Sequence, residues 1–346
     1  MTAPFGLRAL ATVPNPSLSD RGRATLNAAL VILVFATCMA WVRANFVVYD
    51  EPGNLMNPYI DVTTYQAAGE RLNADHDLYK LGPGDRQVLP WPGRYTAPLL
   101  SPPPIAVFWR PLAAVDWGFG VWVAACWLAM IGTLAYLVQR AGLPTLALAF
   151  ILSHSIGEQL AVGNANAFAP LIYVLAWRWR DRPIAGVLIA ALVAVKLAPV
   201  VLFAWLLGTR RWRPFAAGVV SLAVIGVVSG LGAGFGSYVE WLGTLSGNTA
   251  TPLSLSGLTG ISWASYAFLS AAGLLALVLG RTRPTLAYEI ALVGAVIGTP
   301  ALYSSSLVGL LALMAPLAET GRTALVWRSH RTTSAALPAD VRAAEP

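Results

Sequence analysis

Long apolar runs, separated by short turns that contain arginine, occupy most of the chain between Ala24 and Leu317. A helix needs roughly 20 apolar residues to cross the hydrocarbon core of a bilayer, and tilted or broken helices widen that range. The pattern therefore predicts an all-α polytopic membrane protein with about ten transmembrane helices. The segments lie near 24–43, 116–139, 143–157, 164–179, 183–196, 197–208, 214–236, 259–280, 285–300 and 301–318.

Some of these segments are too short to cross a bilayer alone, so 183–208 and 285–318 could each form one broken span instead of two. Arginines collect on the cytoplasmic side of membrane proteins. A hairpin that turns near Lys196 keeps the RWRDR cluster and the TRRWR cluster on one face, whereas a single span puts them on opposite faces. We therefore predict that 183–208 is a hairpin.

The same charge pattern predicts the orientation of the whole chain. A basic turn recurs after every second segment, which places these turns and the N-terminal arginines in the cytoplasm. We expect a cytoplasmic tail at 1–23, one membrane domain at 24–318 with a large external loop at 44–115 and shorter external loops near 157–163 and 237–258, and a cytoplasmic tail at 319–346. The expected location is the plasma membrane, with both termini inside.

Composition agrees with a membrane protein and excludes several other classes. Only 11% of the residues are charged, against roughly 25% in soluble domains. The net charge of +7 comes from arginines in the turns, so we predict no nucleic-acid partner. Both cysteines fall in apolar runs, and the histidines and acidic residues lack metal-ligand spacing. The sequence predicts no metal and no cofactor.

The first external loop carries seven of the sixteen acidic residues, and one part of it has helical periodicity. Tyr65, Ala68 and Leu72 follow one another at helical spacing, which predicts an amphipathic helix in the membrane interface. The prolines at 90–104 favour extended backbone and predict a rigid lid. Polar chemistry is therefore expected on the outer face.

Several short motifs resemble those of glycosyltransferase family 87. Their order and spacing are also similar, over roughly residues 55 to 315. They are Asp61-Val-Thr-Thr-Tyr65 with Leu78-Tyr79, Ser101-Pro102-Pro103 with Arg110-Pro111-Leu112, Gly163-Asn164-Ala165-Asn166, Lys196-Leu197-Ala198-Pro199 and Ser254-Leu255-Ser256-Gly257-Leu258. Two departures are Asn164, where the family has Gln, and the segment from Thr299 to Ser306, which lacks two family histidines.

The resemblance implies a GT-C fold, in which many membrane helices carry an external catalytic face. It also implies a mannosyl- or arabinofuranosyltransferase of the actinobacterial type, acting in cell-wall or lipoglycan assembly. The donor would be a polyprenyl-phosphate sugar, and the acceptor a lipid-linked sugar or a glycan. A transporter or flippase of lipid-linked sugars and an inactive GT-C relative that assists assembly are the alternatives.

Transfer with inversion at C1 of the sugar needs a general base that takes the proton of the acceptor hydroxyl. A carboxylate is therefore the first requirement of such a reaction. Asp61 is our candidate, since it opens the predicted interfacial helix; the alternative is a helix N-cap. Asp50 and Glu51 are the second choice, and their alternative is a solvated start of the loop.

The donor's phosphate requires a cation near the outer surface. Lys196, Arg94 and Arg110 are the candidates. Lysine occurs only at positions 80 and 196, and a cation at membrane depth is usually functional. The alternative for Lys196 is snorkelling to the interface.

Sugar and acceptor hydroxyls require polar or aromatic partners. The candidates are Tyr65, Tyr95, Glu158, Asn164 and Asn166. Asn beside Gly is also an ordinary turn former, and both tyrosines could belong to the interfacial aromatic belt instead.

Overall fold

The computed structural model of the protein describes residues 20–46, 59–80, 99–246 and 250–320, and all regular structure within these ranges is helical. Three short 3-10 segments, Ala165–Phe168, Ala198–Val200 and Ser304–Met314, connect or extend the α-helices. The α-helices are α1 Asp20–Phe46, α2 Ile60–Asn73, α3 Pro103–Ala113, α4 Gly118–Ala141, α5 Leu143–Ile151, α6 Ser153–Val162, α7 Ala169–Arg178, α8 Pro183–Val195, α9 Val201–Gly208, α10 Trp212–Ala233, α11 Gly236–Ser246, α12 Leu255–Thr259, α13 Ala264–Leu279 and α14 Pro284–Ile297.

Two of the described helices, α4 and α10, are long and apolar enough to cross a membrane. Helices α5 and α6 pass the same test together but meet at a bend of 66°, so they form either a broken span or a re-entrant loop. Shorter apolar helices supply the remaining hydrophobic length. The helical, membrane-type architecture is thus confirmed, whereas the count of ten crossing segments and the GT-C arrangement stay predictions.

Two predicted external loops are helical, which corrects the sequence interpretation. The predicted loop at 157–163 is the second half of α6, and the predicted loop at 237–258 contains α11 and α12. Helix α6 continues through polar residues because they find partners inside the protein. The Gln159 side-chain amide donates to the Asn164 carbonyl at 2.8 Å, and the Glu158 carboxylate accepts a hydrogen bond from Ser304 Oγ.

The larger hydrophobic core joins α1, α4 to α9, α13, α14 and the last 3-10 segment. An aromatic group holds one end of it together. The Tyr288 ring lies 4.8 Å from Trp177 and 5.1 Å from Trp205, measured between ring centres. Trp205 Nε1 also donates to the Pro284 carbonyl at 3.2 Å. These contacts fix the ends of α7, α9 and α14 side by side.

Ion pairs gather the basic turns at this same end of the bundle, which we call the arginine end. Arg211 binds Asp181 at 2.9 Å, and Arg180 binds Glu319 at 3.0 Å. Helix α8 begins beside Arg182 and α9 ends shortly before Arg211, so both clusters lie together, as a hairpin over 183–208 requires. The side of the membrane on which they lie stays a prediction.

A smaller hydrophobic cluster joins α2, α3 and the first half of α4 at the opposite end, which we call the site end. Trp122 of α4 lies at its centre: its ring centre is 5.2 Å from Trp109, 5.8 Å from Tyr65 and 5.3 Å from Phe168. Its Nε1 donates to the Gly163 carbonyl at 2.8 Å. The predicted helix with Tyr65 on its apolar face is confirmed. This face packs against α3 and α4.

Gly163, between α6 and the following turn, is required by both its conformation and its surroundings. Its φ of +67° lies in the left-handed region, and an added Cβ would come within 2.2 Å of Val62 Cγ2 on α2. A side chain here would therefore strain the backbone and push α2 away.

We expect Gly163→Ala to lower the stability of the protein by about 1–2 kcal/mol through the backbone conformation alone, and further through the contact with Val62. Thermal unfolding of the purified protein in a mild detergent measures the change. Gly132→Ala is the matched control, because Gly132 lies within α4 with open space around its Cβ position. A Gly163→Ala protein as stable as the control would contradict the close docking of α2.

Candidate functional site

Asp61 lies in the first turn of α2, at the site end. Its Oδ2 accepts a hydrogen bond from Asn164 Nδ2 at 2.8 Å. The N-cap of α2 is Tyr59, in a left-handed conformation and with no side-chain cap. Asp61 therefore does not cap its own helix; its carboxylate binds a residue 103 positions further along the chain.

The start of α2 is fixed against the end of α6, and this contact determines where Asp61 lies. The Tyr59 backbone N–H donates to the Ala161 carbonyl at 2.7 Å. Val62, with no exposed surface, packs over Gly163. Because one helix turn holds both contacts, Asp61 between them has little freedom to move.

Asn164 organises the turn that follows Gly163. Its Oδ1 accepts from the backbone N–H of Asn166 at 2.8 Å, which starts the 3-10 segment. Its backbone carbonyl accepts from Gln159 Nε2 at 2.8 Å. The side-chain oxygen is thus used within the turn, which directs the amide nitrogen at Asp61. The turn-forming interpretation of Asn164 is confirmed, and its amide also faces the candidate base; its contact with sugar hydroxyls stays a prediction.

Lys196 lies where α8 ends, in extended backbone between α8 and the next 3-10 segment. Its Nζ donates to Ser306 Oγ at 3.1 Å, and Asn166 Nδ2 donates to the same oxygen at 3.3 Å. The three residues line a narrow cavity together with Tyr173 and Pro199. In the described part of the chain no carboxylate lies within ion-pair distance of Lys196, so its charge is available to an anion.

Glu158 is buried on α6, where Ser304 Oγ donates to its carboxylate. Sequence reasoning selected Glu158 but not the three polar partners at this end of the bundle: Gln159, Ser304 and Ser306. The two serines lie in the segment from Thr299 to Ser306, where the family's two histidines are missing. The sequence signal that could have identified these serines is a polar run between two apolar segments.

Other sequence candidates lie elsewhere. Tyr65 is 3% exposed and packs between Trp109 and Trp122, so neither face of its ring is open to a sugar. Arg110 donates to Asn73 Oδ1 at 3.1 Å and to the Gly232 carbonyl at 3.0 Å, which joins α3 to α2 and α10. Four further candidates lie outside the described residues: Asp50, Glu51, Arg94 and Tyr95.

Within the described ranges, no group of three or more His, Cys, Asp or Glu side chains could hold a metal ion. That a metal is not required stays a prediction. Among the described residues, the site end thus presents two carboxylates, one ammonium group, two asparagine amides and two serine hydroxyls, which suit hydroxyl-rich and anionic ligands.

Comparison with known families assigns the chain. The model of glycosyltransferase family 87 matches residues 100–335, more than half of the 346 residues. The chain belongs to glycosyltransferase family 87. Membership in family 87 indicates that the protein is a glycosyltransferase, with a sugar donor and an acceptor. Comparison with curated proteins and with solved structures gave no match.

The match to family 87 covers only part of the site. It includes Glu158, Asn164, Asn166, Lys196 and the two serines, but it begins after Asp61. The connection of Asp61 to the matched region therefore rests on its hydrogen bond to Asn164 and on the docking of α2.

The pKa of the Asp61 carboxyl lies well above the ordinary value for an aspartate. Its pKa rises from 3.8 to about 6: burial is the largest cause and the charge of Glu158 adds to it, while the Asn164 hydrogen bond and the charge of Lys196 oppose the rise. A carboxylate with a pKa near the working pH is a more effective proton acceptor than an ordinary surface carboxylate.

We expect the Asp61 carboxyl to titrate at about pH 6, and its midpoint to rise in Asn164→Ala, because the hydrogen bond that stabilises the carboxylate is lost. Infrared titration of protein with isotope-labelled aspartate measures the midpoint, and Asp61→Asn identifies the signal. Gln66→Ala, on the same helix and bonded to Glu70, is the control and should leave the midpoint unchanged. A midpoint near 4 in the unaltered protein would refute the buried setting of Asp61.

Proposed function

We propose that the protein is an inverting membrane glycosyltransferase that uses a polyprenyl-phosphate sugar. The sugar, mannose or arabinofuranose, would pass to a lipid-linked or polysaccharide acceptor on the outer face of the plasma membrane. Asp61 would be the general base, Lys196 the partner of the donor's phosphate, and Asn164, Asn166 and Glu158 the contacts of sugar and acceptor hydroxyls.

One observation carries this proposal: a single turn binds both charged groups, since Asn164 donates to Asp61 and Asn166 donates to the serine that holds Lys196, at the end of the bundle away from the basic turns. An inverting transfer needs a base on one side of the sugar and a cation beside the leaving phosphate on the other. The two charged groups come from distant parts of the chain, and polar side chains hold each in place.

The reaction follows from this arrangement. The acceptor hydroxyl gives its proton to Asp61 while its oxygen forms a bond to C1 of the sugar. The bond between C1 and the phosphate oxygen breaks on the opposite face, and its electron pair leaves with polyprenyl phosphate. The Asn164 amide already donates a hydrogen bond to Oδ2 of Asp61, so Oδ1 would accept the proton. The leaving phosphate needs no proton, because Lys196 balances part of its charge.

Position and charge support a lipid-linked donor over a nucleotide sugar. Nucleotide sugars are cytoplasmic, whereas the charge pattern predicts that the site end faces outward. A lipid-bound phosphate, by contrast, travels in the membrane and reaches a site at the end of short helices. Lys196 offers it a point charge, Ser306 holds the ammonium group in the cavity, and Asn166 in turn donates to Ser306.

We expect Asp61→Asn to reduce transfer by about 10²–10⁴-fold, because the amide cannot take a proton. Transfer of labelled sugar from synthetic polyprenyl phosphate by the purified protein measures the loss. Asp75→Asn is the matched control: Asp75 is exposed, and asparagine tolerates its positive φ. If Asp61→Asn transferred sugar at the full rate, Asp61 would not be the base, and Asp50 and Glu51 would become the candidates.

The transfer rate should also fall as the pH drops through about 6, the pKa of Asp61, because only the carboxylate accepts a proton.

We expect Lys196→Met to raise the KM for the donor by about tenfold or more, since a charge-assisted contact contributes roughly 1.5–3 kcal/mol. Ser306→Ala should have a smaller effect in the same direction, because it frees the ammonium group without removing it. Initial rates over a range of donor concentration give both values. Lys80→Met is the control, because the other lysine of the chain is exposed and pairs with Glu240. Equal KM values for the Lys196 and Lys80 variants would exclude the phosphate role.

A further inference from the structure

A second cavity lies at the arginine end, far from the proposed site. It has a volume of about 170 Å³ and is lined by Tyr136 and Arg140 of α4, Val174, Trp177 and Arg178 of α7, and Ala315 and Glu319 near the end of the described chain. Sugar transfer as proposed above makes no use of this cavity. Its lining combines two guanidinium groups, two aromatic rings and two small apolar side chains.

The two guanidinium groups share one aromatic ring. The guanidinium carbon of Arg140 lies 4.7 Å from the centre of the Tyr136 ring, and that of Arg178 lies 5.6 Å from it. One Nη of Arg178 also donates to the Tyr136 hydroxyl at 3.1 Å. The ring therefore orients both cations toward the same space, although like charges repel each other.

Neither cation has an acidic partner in the described ranges. No salt bridge there involves Arg140 or Arg178, whereas Arg180 and Arg211 each pair with a carboxylate. Glu319, the acidic residue of the lining, is already engaged: Arg180 binds it, and Trp177 Nε1 donates to it at 3.0 Å. The cavity thus holds two positive charges that an anion would stabilise.

We propose that this cavity binds a phosphate group, carried by the headgroup of an anionic phospholipid or by a free phosphate compound. Two guanidinium groups beside one opening suit the oxygens of a phosphate, which accept paired hydrogen bonds. Basic pockets between membrane helices bind anionic headgroups in this way. Val174 and Ala315 give the lining an apolar part, which suits the glycerol and acyl region of a lipid. The proposal does not depend on the sugar-transfer reaction.

The test uses the full-length protein in a neutral detergent, with short-chain phosphatidylglycerol, short-chain phosphatidylcholine and inorganic phosphate as probes. Thermal stabilisation and native mass spectrometry measure binding. We expect phosphatidylglycerol to bind at least about tenfold more tightly than phosphatidylcholine, and Arg140→Gln/Arg178→Gln to lose at least about tenfold in affinity. The charge-matched control is Arg213→Gln/Arg283→Gln, since both of these arginines are exposed and neither lines the cavity.

Two milder variants keep the test decisive if the double substitution fails to fold. Arg178→Gln changes an exposed side chain, and Tyr136→Phe keeps the ring but removes the hydroxyl that holds Arg178. Each should weaken phosphatidylglycerol binding. Equal protection by inorganic phosphate and by phosphatidylglycerol would support the phosphate site and identify a free phosphate compound as its ligand. Equal binding of the two lipids, or unchanged binding by the Arg140 and Arg178 variants, would overturn the proposal.

Discussion

The docking of α2 on the turn at Gly163 is the contact on which the site depends. Trp122 donates to the Gly163 carbonyl and packs against Tyr65, so one side chain of α4 holds both the turn and the helix. Because Gly163 lacks a Cβ, Val62 can lie directly over it. This close approach brings Asp61 to Asn164, and so joins α2 to the helical bundle. Without it, the carboxylate would be an ordinary acidic group in a polar loop.

Helix length determines how deep the site lies. Helix α8 has 13 residues, which at 1.5 Å per residue is about 20 Å, less than the roughly 30 Å hydrocarbon core. If α8 begins at the inner surface, where its flanking arginines favour it, then Lys196 at its other end lies below the outer surface. Such a recess suits a substrate whose phosphate is attached to a membrane lipid. Buried polar residues of α6 and of the last 3-10 segment find partners in each other, as Glu158 does in Ser304.

The sequence predicted the helical membrane architecture and most helix positions, because long apolar runs and arginine clusters are local signals. It also selected Asp61, Asn164 and Lys196, from their chemistry and from the resemblance to family 87. It misjudged 157–163, because polar residues within a helix look like a loop until their tertiary partners are known. It missed Ser306, since a serine acquires a role only through the lysine beside it, 110 positions away. It also left Tyr65 open as a sugar contact, because helical spacing does not reveal which surface covers an apolar face.

The central claim is that the site end, with Asp61, faces outward while the arginine end faces the cytoplasm. Substituted-cysteine labelling in intact cells tests it most directly, after both native cysteines, which are buried, have been replaced by alanine. A membrane-impermeant maleimide should label Ala74→Cys, at the exposed end of α2, in intact cells. It should label Thr282→Cys, exposed in the turn before α14, only after the cells are lysed. The reverse pattern would place the site in the cytoplasm and contradict the proposed use of an external, lipid-linked donor.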